Sequence, residues 1–523
     1  MSTGNIFQLL INDTKTDSLL NASKYLTDKL DSIYTKKLQN CKNDLRTRFA
    51  SAEERGTAEF REWSRDPDGY CAERAQVTSA TLSELSRTHT IYIGACYKPY
   101  AATAFTYLKI NEKQGSQAWS NEIAFTIPQG GTWIHDMVLH VRLTGLRATS
   151  PLDKVKYCSF VGHRMIDTVQ FIVNDTVLAE YTTEMYNKYY NFNVPLGKRS
   201  GWMRNVGQEQ PKLAYVTPDP ARNEYREYRW FGDGPQTFKR EHTEVDMYIP
   251  LLFWFNLDVA QAFPNVKIPK GKVQIKIKFA DLGLIVAAAD YGGGGAYQAP
   301  AIATADLHVN HISTLPSLSN LILNNSDLTL VRVNKIQEQI VTHTDAEILL
   351  KNLKFPTEHM AFCFRPLVNY TDVDNWYRNS VLTPNNIMVP VAVLTSDPTP
   401  VPVLAINSAT YLSEDRVVDQ CGLNTKSLEI FQYDTTAKYS NFYPFAANGF
   451  DTPDESGWML LNFQLKPTDY NPSGHIDLTK NRELYLKYSS SYITDATRAK
   501  LVIVSQAINF LICKAQSAYM RYI

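Results

Sequence analysis

The stretch LKPTDYNPSGHIDL, Leu465 to Leu478, gathers side chains of the types that do acid–base and nucleophilic chemistry. Asp469 and Asp477 flank His475, and Ser473 stands two residues before it. A base oriented by a carboxylate beside a hydroxyl is the set used in acyl transfer, but such triads are assembled from separated chain segments. The same residues also spell a shaped loop. Pro467 and Pro472 fix φ and block a helix, and Asn471-Pro472-Ser473-Gly474 is turn chemistry. We read a structural loop in which His475 makes a local hydrogen bond.

Other candidates are thinner. Asp454 and Glu455 in DTPDESGW are the one carboxylate cluster worth weighing for glycoside hydrolysis, which needs two carboxyls ~5–10 Å apart. His135 and His140 in HDMVLH are five apart, so on a strand they face opposite ways and cannot share a metal locally. His163 and His343 are lone histidines, best read as satisfied by a hydrogen bond. GKRSGW at Gly197 lacks the Ser or Thr that follows a P-loop lysine, and the glycine run at 292–295 lacks the lysine itself. The sequence contains no HExxH, GxSxG, CxxC or GxGxxG ahead of a helix. No catalytic, cofactor-binding or metal-binding residue is assigned.

The elements that must carry these residues have period two. KVQIKIKF, Lys272 to Phe279, alternates strictly and predicts a strand with one buried face. TVQFIVNDTVLAEY, Thr168 to Tyr181, predicts a hairpin turning at Asn174-Asp175. YIPLLFWFN and EIAFTIPQ read as further short strands. Past about Asn325, strands resume in LTLVRVNKIQEQIVTHT, HMAFCFRP, WMLLNFQLKP, ELYLKY and AKLVIVSQAINFLICKA. Two runs of short strands of ~200 residues each suggest two β-sandwiches in tandem. ADYGGGGAYQAPAIATAD, Ala289 to Asp306, reads as a flexible loop. Asn191 to Thr243 reads as long loops that cover a sheet edge or reach outside the subunit.

Residues 1–80 differ, with 12 basic and 12 acidic side chains. Leu19, Leu26, Leu30, Ile33 and Tyr34 share a helical face, with Thr16 or Asp17 as a cap. Asn43 to Asp66 is charged and reads as helix or a partly ordered arm that docks a partner. The period changes to two from about Thr88.

Composition narrows the function. The 523 residues include 53 Lys+Arg and 53 Asp+Glu, a neutral balance that argues against direct nucleic-acid binding and favours self-association. Aromatics make up 12 % of the chain, which suits strands and large interfaces. The seven cysteines are scattered, and read as reduced, mostly buried thiols. No secretory signal and no long apolar run is visible, so the NxS/T sequons at Asn12, Asn21, Asn174, Asn324 and Asn369 read as chance.

Taken in order, KPYAATAFTYLKI (98–110), IAFTIPQGGTWIHDM (123–137), GHRMIDTVQFIVNDTVLAEY (162–181) and IPLLFWFNLDVAQAFPNVKIP (249–269) resemble the first half of major capsid proteins of nucleocytoplasmic large DNA viruses. LKPTDYNPSGHIDLTKNRELYL (465–486) and the terminal SAYMRYI resemble the second half. LLINDTKTDSLL and LTLVRVNKIQEQIVTHT are most similar to the African swine fever virus type. The loops after Leu146 and between Tyr186 and Thr243 are shorter here than that family's outer insertions, and Tyr34 to about Ala75 resembles an insertion.

The resemblance implies an all-β double jelly roll of two tandem eight-stranded sandwiches with a partly helical N-terminal arm. The divisions are 1–85 for the arm, 86–310 for the first jelly roll and 311–523 for the second. It implies a structural capsid protein that forms homotrimeric, pseudo-hexameric capsomers tiling an icosahedral shell, with no enzymatic activity and no cofactor. Its partners would be itself, minor capsid proteins and the inner membrane layer through the arm, with no direct nucleic acid. Its place would be the virion capsid, assembled in the host cytoplasm. The alternatives are a jelly-roll glycan-binding protein, with Trp376 in DVDNWYRN exposed at a loop tip, and a membrane-shaping scaffold of the same fold.

Overall fold

The computed structural model describes residues 22–51, 54–75, 103–110, 113–209, 212–216, 227–231, 234–314, 320, 328–350, 355–393, 403–425, 428–447, 449–467, 469–477, 483–514 and 516–521. The cap at Thr16 or Asp17, Leu19 and the change of period at Thr88 lie outside these residues. The chain divides into two compact units, one of residues 1–104 with 314–318 and one holding the rest.

The first unit is helical where the charged run suggested helix or a partly ordered arm. Helices span Ala22–Arg48, Ala58–Arg65 and Pro67–Ala75. Each short helix starts on a side-chain cap. Thr57 Oγ1 accepts from Phe60 N at 3.3 Å, and Asp66 Oδ1 accepts from Gly69 N at 2.9 Å, with Pro67 in the first helical position where its missing N–H costs nothing. A small core of Leu45, Phe49 and Cys71 is closed by Phe60 and Trp63, whose rings lie 5.3 and 5.1 Å from that of Phe49.

The second unit is built from two copies of one topology. The first eight principal strands are β1 (Thr103–Lys109), β2 (Glu122–Thr126), β3 (Trp133–Leu143), β4 (Ile166–Val173), β5 (Thr176–Thr182), β6 (Val245–Pro250), β7 (Val273–Phe279) and β8 (Ile302–Thr314). They form sheets ordered β1-β8-β3-β6 and β2-β7-β4-β5, with Lys113–Gly115 added beside β2. The next eight are β9 (Leu328–Val341), β10 (Asp345–Leu349), β11 (Thr357–Pro366), β12 (Gln420–Thr425), β13 (Leu428–Thr435), β14 (Trp458–Asn462), β15 (Leu484–Ser489) and β16 (Ala499–Lys514). Their sheets run β9-β16-β11-β14 and β10-β15-β12-β13, and Ser517–Arg521 pairs with β16. Counted within each half, both read 1-8-3-6 against 2-7-4-5. This is the double jelly roll.

The predicted strands form for the predicted reason. On β7, Val273, Ile275, Ile277 and Phe279 are buried, while Lys276 and Lys278 face outward to Glu122 and Asp167. The β4–β5 hairpin turns on Asn174 and Asp175 with φ of 48° and 64°. Two successive residues of positive φ match the right-handed twist of the strands, and Asn and Asp tolerate that region best among non-glycine residues.

Two expectations change. Ala289 to Asp306 is not a free loop. The Asp153 carboxylate accepts from the backbone N–H groups of Tyr291, Gly293 and Gly295, and Asp290 accepts from Gly292, Gly293 and Gly294. The glycine run is wrapped around two carboxylates of the chain, and Gly293 has no room for a side chain because a Cβ would stand 2.3 Å from Ser150 Oγ. Asn191 to Thr243 is likewise not plain loop. It begins inside a helix, Thr183–Phe192, continues in another, Leu196–Asn205, and includes the ribbon of Lys212–Val216 with Glu227–Phe231.

The turn yields a prediction. Asp175→Gly removes the positive-φ strain and loses only a solvent-exposed ion pair with Lys272, so unfolding in urea should move to a midpoint higher by about 0.5–1 kcal/mol. A lower midpoint would show that the Asp175 side chain, not the backbone, sets the turn.

Candidate functional site, the seam between two sandwiches

β11 is buried at all ten positions. Met360, Phe362 and Phe364 belong to the core of the second sandwich, whereas Ala361 and Cys363 belong to the larger core shared with the first. β14 and β16 behave alike, with Met459, Leu461, Leu501 and Ile503 turned inward and Trp458, Leu460, Val502 and Val504 turned toward the first sandwich. One sheet therefore serves two cores.

The helix Thr183–Phe192 lies at this sheet. Phe192 meets Trp458 edge-on at 6.0 Å. Glu184, Asn187, Lys188 and Asn191, spaced by three and four, form one buried polar stripe. Glu184 receives both terminal nitrogens of Arg365, at 2.7 and 2.8 Å, and both side chains are essentially inaccessible. Burial works to raise the Glu184 pKa, but Arg365 and Lys500 together hold it below the ordinary range. Arg365 Nε donates to Asn379 Oδ1 at 2.9 Å, and Asn379 N donates to Glu455 at 2.9 Å. Lys500 reaches Glu338 at 2.7 Å and Glu184 at 3.7 Å. Burial lifts Glu455 to about 7 despite its bonds from Asn379.

Lys188 extends the stripe. Its Nζ donates to Asn193 Oδ1 at 3.0 Å and meets His359 Nε2 at 3.2 Å. Gln464 Nε2 donates to the other ring nitrogen at 3.1 Å, so Nε2 bears the ring proton and turns it toward an uncharged amine. Burial accordingly brings Lys188 down to about 7 and His359 well below its usual value.

Corresponding excursions of the two sandwiches meet. Strands three and four of each half are joined by residues 144–165 and 367–419, and strands five and six by 183–244 and 436–457. Between the first pair, Arg164 donates to the carbonyls of Asp372 and Tyr370 at 2.8 and 3.0 Å, and Lys156 pairs with Asp374 at 2.5 Å. Between the second pair, Arg199 pairs with Asp454 and lies 3.8 Å from Asp451. Because β3 is antiparallel to β6 and β11 to β14, both excursions of a half leave from the same end. The paired contacts bring those ends together side by side.

Trp376 belongs to this seam and corrects an expectation. It is 2 % exposed, its indole N–H donates to Ser159 O at 2.6 Å, and the Arg164 guanidinium lies 5.2 Å from its ring. A buried indole cannot present a sugar-stacking platform. Asp454 and Glu455 are held apart by different partners, Arg199 and Asn379.

The opening stretch closes on itself. Ser473 Oγ accepts from Lys466 N at 2.8 Å and donates to Lys466 O at 3.1 Å, and Ile476 bridges to Thr357 of β11. The Asp469 carbonyl accepts from Arg332, which also pairs with buried Glu358 at 2.6 Å. His475 is exposed and has no hydrogen-bond partner among the described residues, so its expected local bond is not formed. His163 is a core histidine, stacked between Phe160 and Tyr186 and accepting from Trp202 Nε1 at 2.9 Å. His135 Nδ1 meets Phe255 O at 2.6 Å, whereas His140 pairs with Asp246 at 2.6 Å. Among the described residues no three His, Cys, Asp or Glu side chains converge as a metal site would require. The missed feature, the seam, did have a sequence trace. HMAFCFRP and LVIVSQAINFLIC are nearly continuous apolar runs, the pattern of strands covered on both faces.

Comparison with known proteins agrees with this architecture. A family model described as major capsid protein N-terminus matches residues 96–314. The Hexon protein p72 of African swine fever virus (isolate Tick/Malawi/Lil 20-1/1983) is 24 % identical over 682 aligned positions that span the whole of both chains. The solved Faustovirus major capsid protein superposes with a TM-score of 0.71 at 22 % identity, covering 96 % of this chain and 100 % of that one. Over its whole length the chain is similar to major capsid proteins of nucleocytoplasmic large DNA viruses. Its role is that of a structural capsid protein. The PBCV-1 virus capsid shares the fold more distantly, at a TM-score of 0.58, 16 % identity and coverage of 83 % and 100 %. The alignment with the p72 hexon runs 159 positions beyond the 523 residues of this chain.

Two predictions concern the seam. Glu184→Ala leaves Arg365 buried and unpaired and should cost about 3–5 kcal/mol in urea unfolding, whereas Glu184→Met with Arg365→Met should cost far less than the two single changes summed. Additive losses would mean that the pair is not a coupled unit.

The second is a pH dependence. Burial holds His163 near 3 and His311 near 4, and His359 is lowered too. These rings stay neutral when folded but take a proton below pH ~6.5 once unfolded, so stability falls as pH drops through that value. Glu455, raised to about 7, opposes this between pH 7 and ~4.5, and Lys188 is charged in both states below 7. From pH 7.5 to pH 5 the net loss should be about 2–4 kcal/mol by urea midpoint. Equal or greater stability at pH 5 would show that the rings are not neutral in the fold.

Proposed function

We propose that three copies of this chain form a homotrimeric, pseudo-hexameric capsomer that tiles an icosahedral shell. The observation that carries this reading is the side-by-side pairing of two sandwiches of identical strand order. Three subunits with two equivalent rolls each give six similar corners, and closed cyclic symmetry makes a finite block. Neutral net charge suits dense packing of copies.

In this reading residues 1–85 are an arm, 86–310 the first jelly roll and 311–523 the second, with β8 running on to Thr314. The paired excursions form one face of the tile. The arm engages minor capsid proteins and the inner membrane layer beneath the shell, and the tile makes no direct contact with nucleic acid. Assembly takes place in the host cytoplasm and the product is the virion capsid. The chain catalyses no reaction. The carboxylates and histidines weighed for chemistry either make structural contacts or, like His475, have no hydrogen-bond partner among the described residues.

Light scattering of the purified chain tests the proposal. The expected mass is about 178 kDa, three times the 59.4 kDa chain, unmoved by dilution. A stable, folded monomer of 59.4 kDa would overturn it.

A further inference from the structure

The helical unit brings two thiols from different helices to one small core. Cys41 lies on helix Ala22–Arg48, one turn before Leu45, and Cys71 lies on helix Pro67–Ala75. Cys71 is fully buried beside Leu45 and Phe49, and Cys41 packs against the same cluster while remaining partly open to solvent. The two thiols are thus neighbours at one small core. Next to them, Lys42 pairs with Asp68 at 2.6 Å, which fixes the register of the two helices at the cysteines. By contrast, Cys158, Cys363 and Cys421 are buried in the sandwiches, and Cys421 donates to the sulfur of Met459.

We propose that Cys41 and Cys71 are a disulfide-forming pair that staples the helical arm when the chain meets a low-molecular-weight disulfide such as glutathione disulfide. The chemistry is two exchanges. The accessible Cys41 thiolate attacks glutathione disulfide, forming a Cys41–glutathione disulfide and expelling glutathione thiolate. Cys71 then gives up its proton to solvent and attacks the Cys41 sulfur, forming Cys41–Cys71 and expelling the second glutathione thiolate. The two protein thiols lose two electrons and two protons, and one glutathione disulfide becomes two glutathiones. Burial pushes the Cys71 thiol up to about 11, so the more accessible Cys41 acts first and closure is the slow step.

The staple has a physical role to fill. Among the described residues of this unit the fully buried apolar side chains are Leu45, Phe49, Cys71 and Ala75, a small set for two helices to rest on. A cross-link between residues 41 and 71 removes freedom from the unfolded arm and leaves the packed state in place. The arm would be loose in a reducing cell and locked outside it.

The test uses the full chain. Protein is incubated with glutathione disulfide or with dithiothreitol, free thiols are alkylated under denaturing conditions, and tryptic peptides are identified by mass spectrometry. The expected result is a linked pair of peptides carrying Cys41 and Cys71 after glutathione disulfide only, with protease cleavage inside residues 22–75 slowed about tenfold. Cys71→Ser should halt at the Cys41–glutathione disulfide, and Cys41→Ser should give neither product. The wild-type chain decides even if a variant fails to fold. Separate alkylation of Cys41 and Cys71 in the oxidised sample, or a lasting Cys41–glutathione adduct without the link, would overturn the proposal.

Discussion

β11 has no face turned to water, and that fixes how the rest of the second unit is arranged. A strand with Phe362 on one side and Cys363 on the other needs apolar cover on both. One cover is its own partner sheet. The other comes from the first sandwich, chiefly through the helix Thr183–Phe192. Separating the sandwiches would expose the outer side of three adjacent strands, β11, β14 and β16, at about 25 cal/mol for each Å² of apolar surface. The hydrophobic effect thus makes one body of two folds that could each close a core alone.

Apolar contact does not choose a register, because one buried methyl is much like another. The polar stripe on that helix does. Glu184 can be buried only where Arg365 meets it with two bonds, and Lys188 only where Asn193 accepts from it and His359 Nε2 faces it. A slip of one helical turn would leave buried groups unpaired, at a cost of several kcal/mol. Within the second sandwich the fit is as close, since a Cβ on Gly457 would stand 2.4 Å from the Asn379 carbonyl. The seam combines an adhesive surface with a key.

The two halves meet through like parts. The excursion between strands three and four of one sandwich touches its counterpart, and so does the excursion between strands five and six. This follows from the repeated strand order, which sends both excursions of each sandwich out at the same end. Variation in those excursions can leave the strands and their register untouched.

Much of the fold was legible in the sequence. The alternation in KVQIKIKF, the Asn174-Asp175 turn and the proline-marked strand ends are local features, and local steric and solvation rules decide them. The loop nature of Leu465 to Leu478 was legible for the same reason. Other features were not local. The helix TEMYNKYYNF carries β-favouring aromatics and a polar face, so its pattern resembled loop, and only the sheet it covers makes that polar face a buried one. The glycine run read as free chain because Asp153, which organises it, lies over 130 residues earlier. Trp376 read as exposed because Asp and Asn surround it, yet Ser159 and Arg164 enclose it from the other sandwich. The sequence by itself determined the strands, the turns and the family resemblance, all written in short-range periodicity and turn chemistry. Tertiary structure alone decided which polar groups are buried and paired, because burial depends on what the distant parts of the chain bring to the same place.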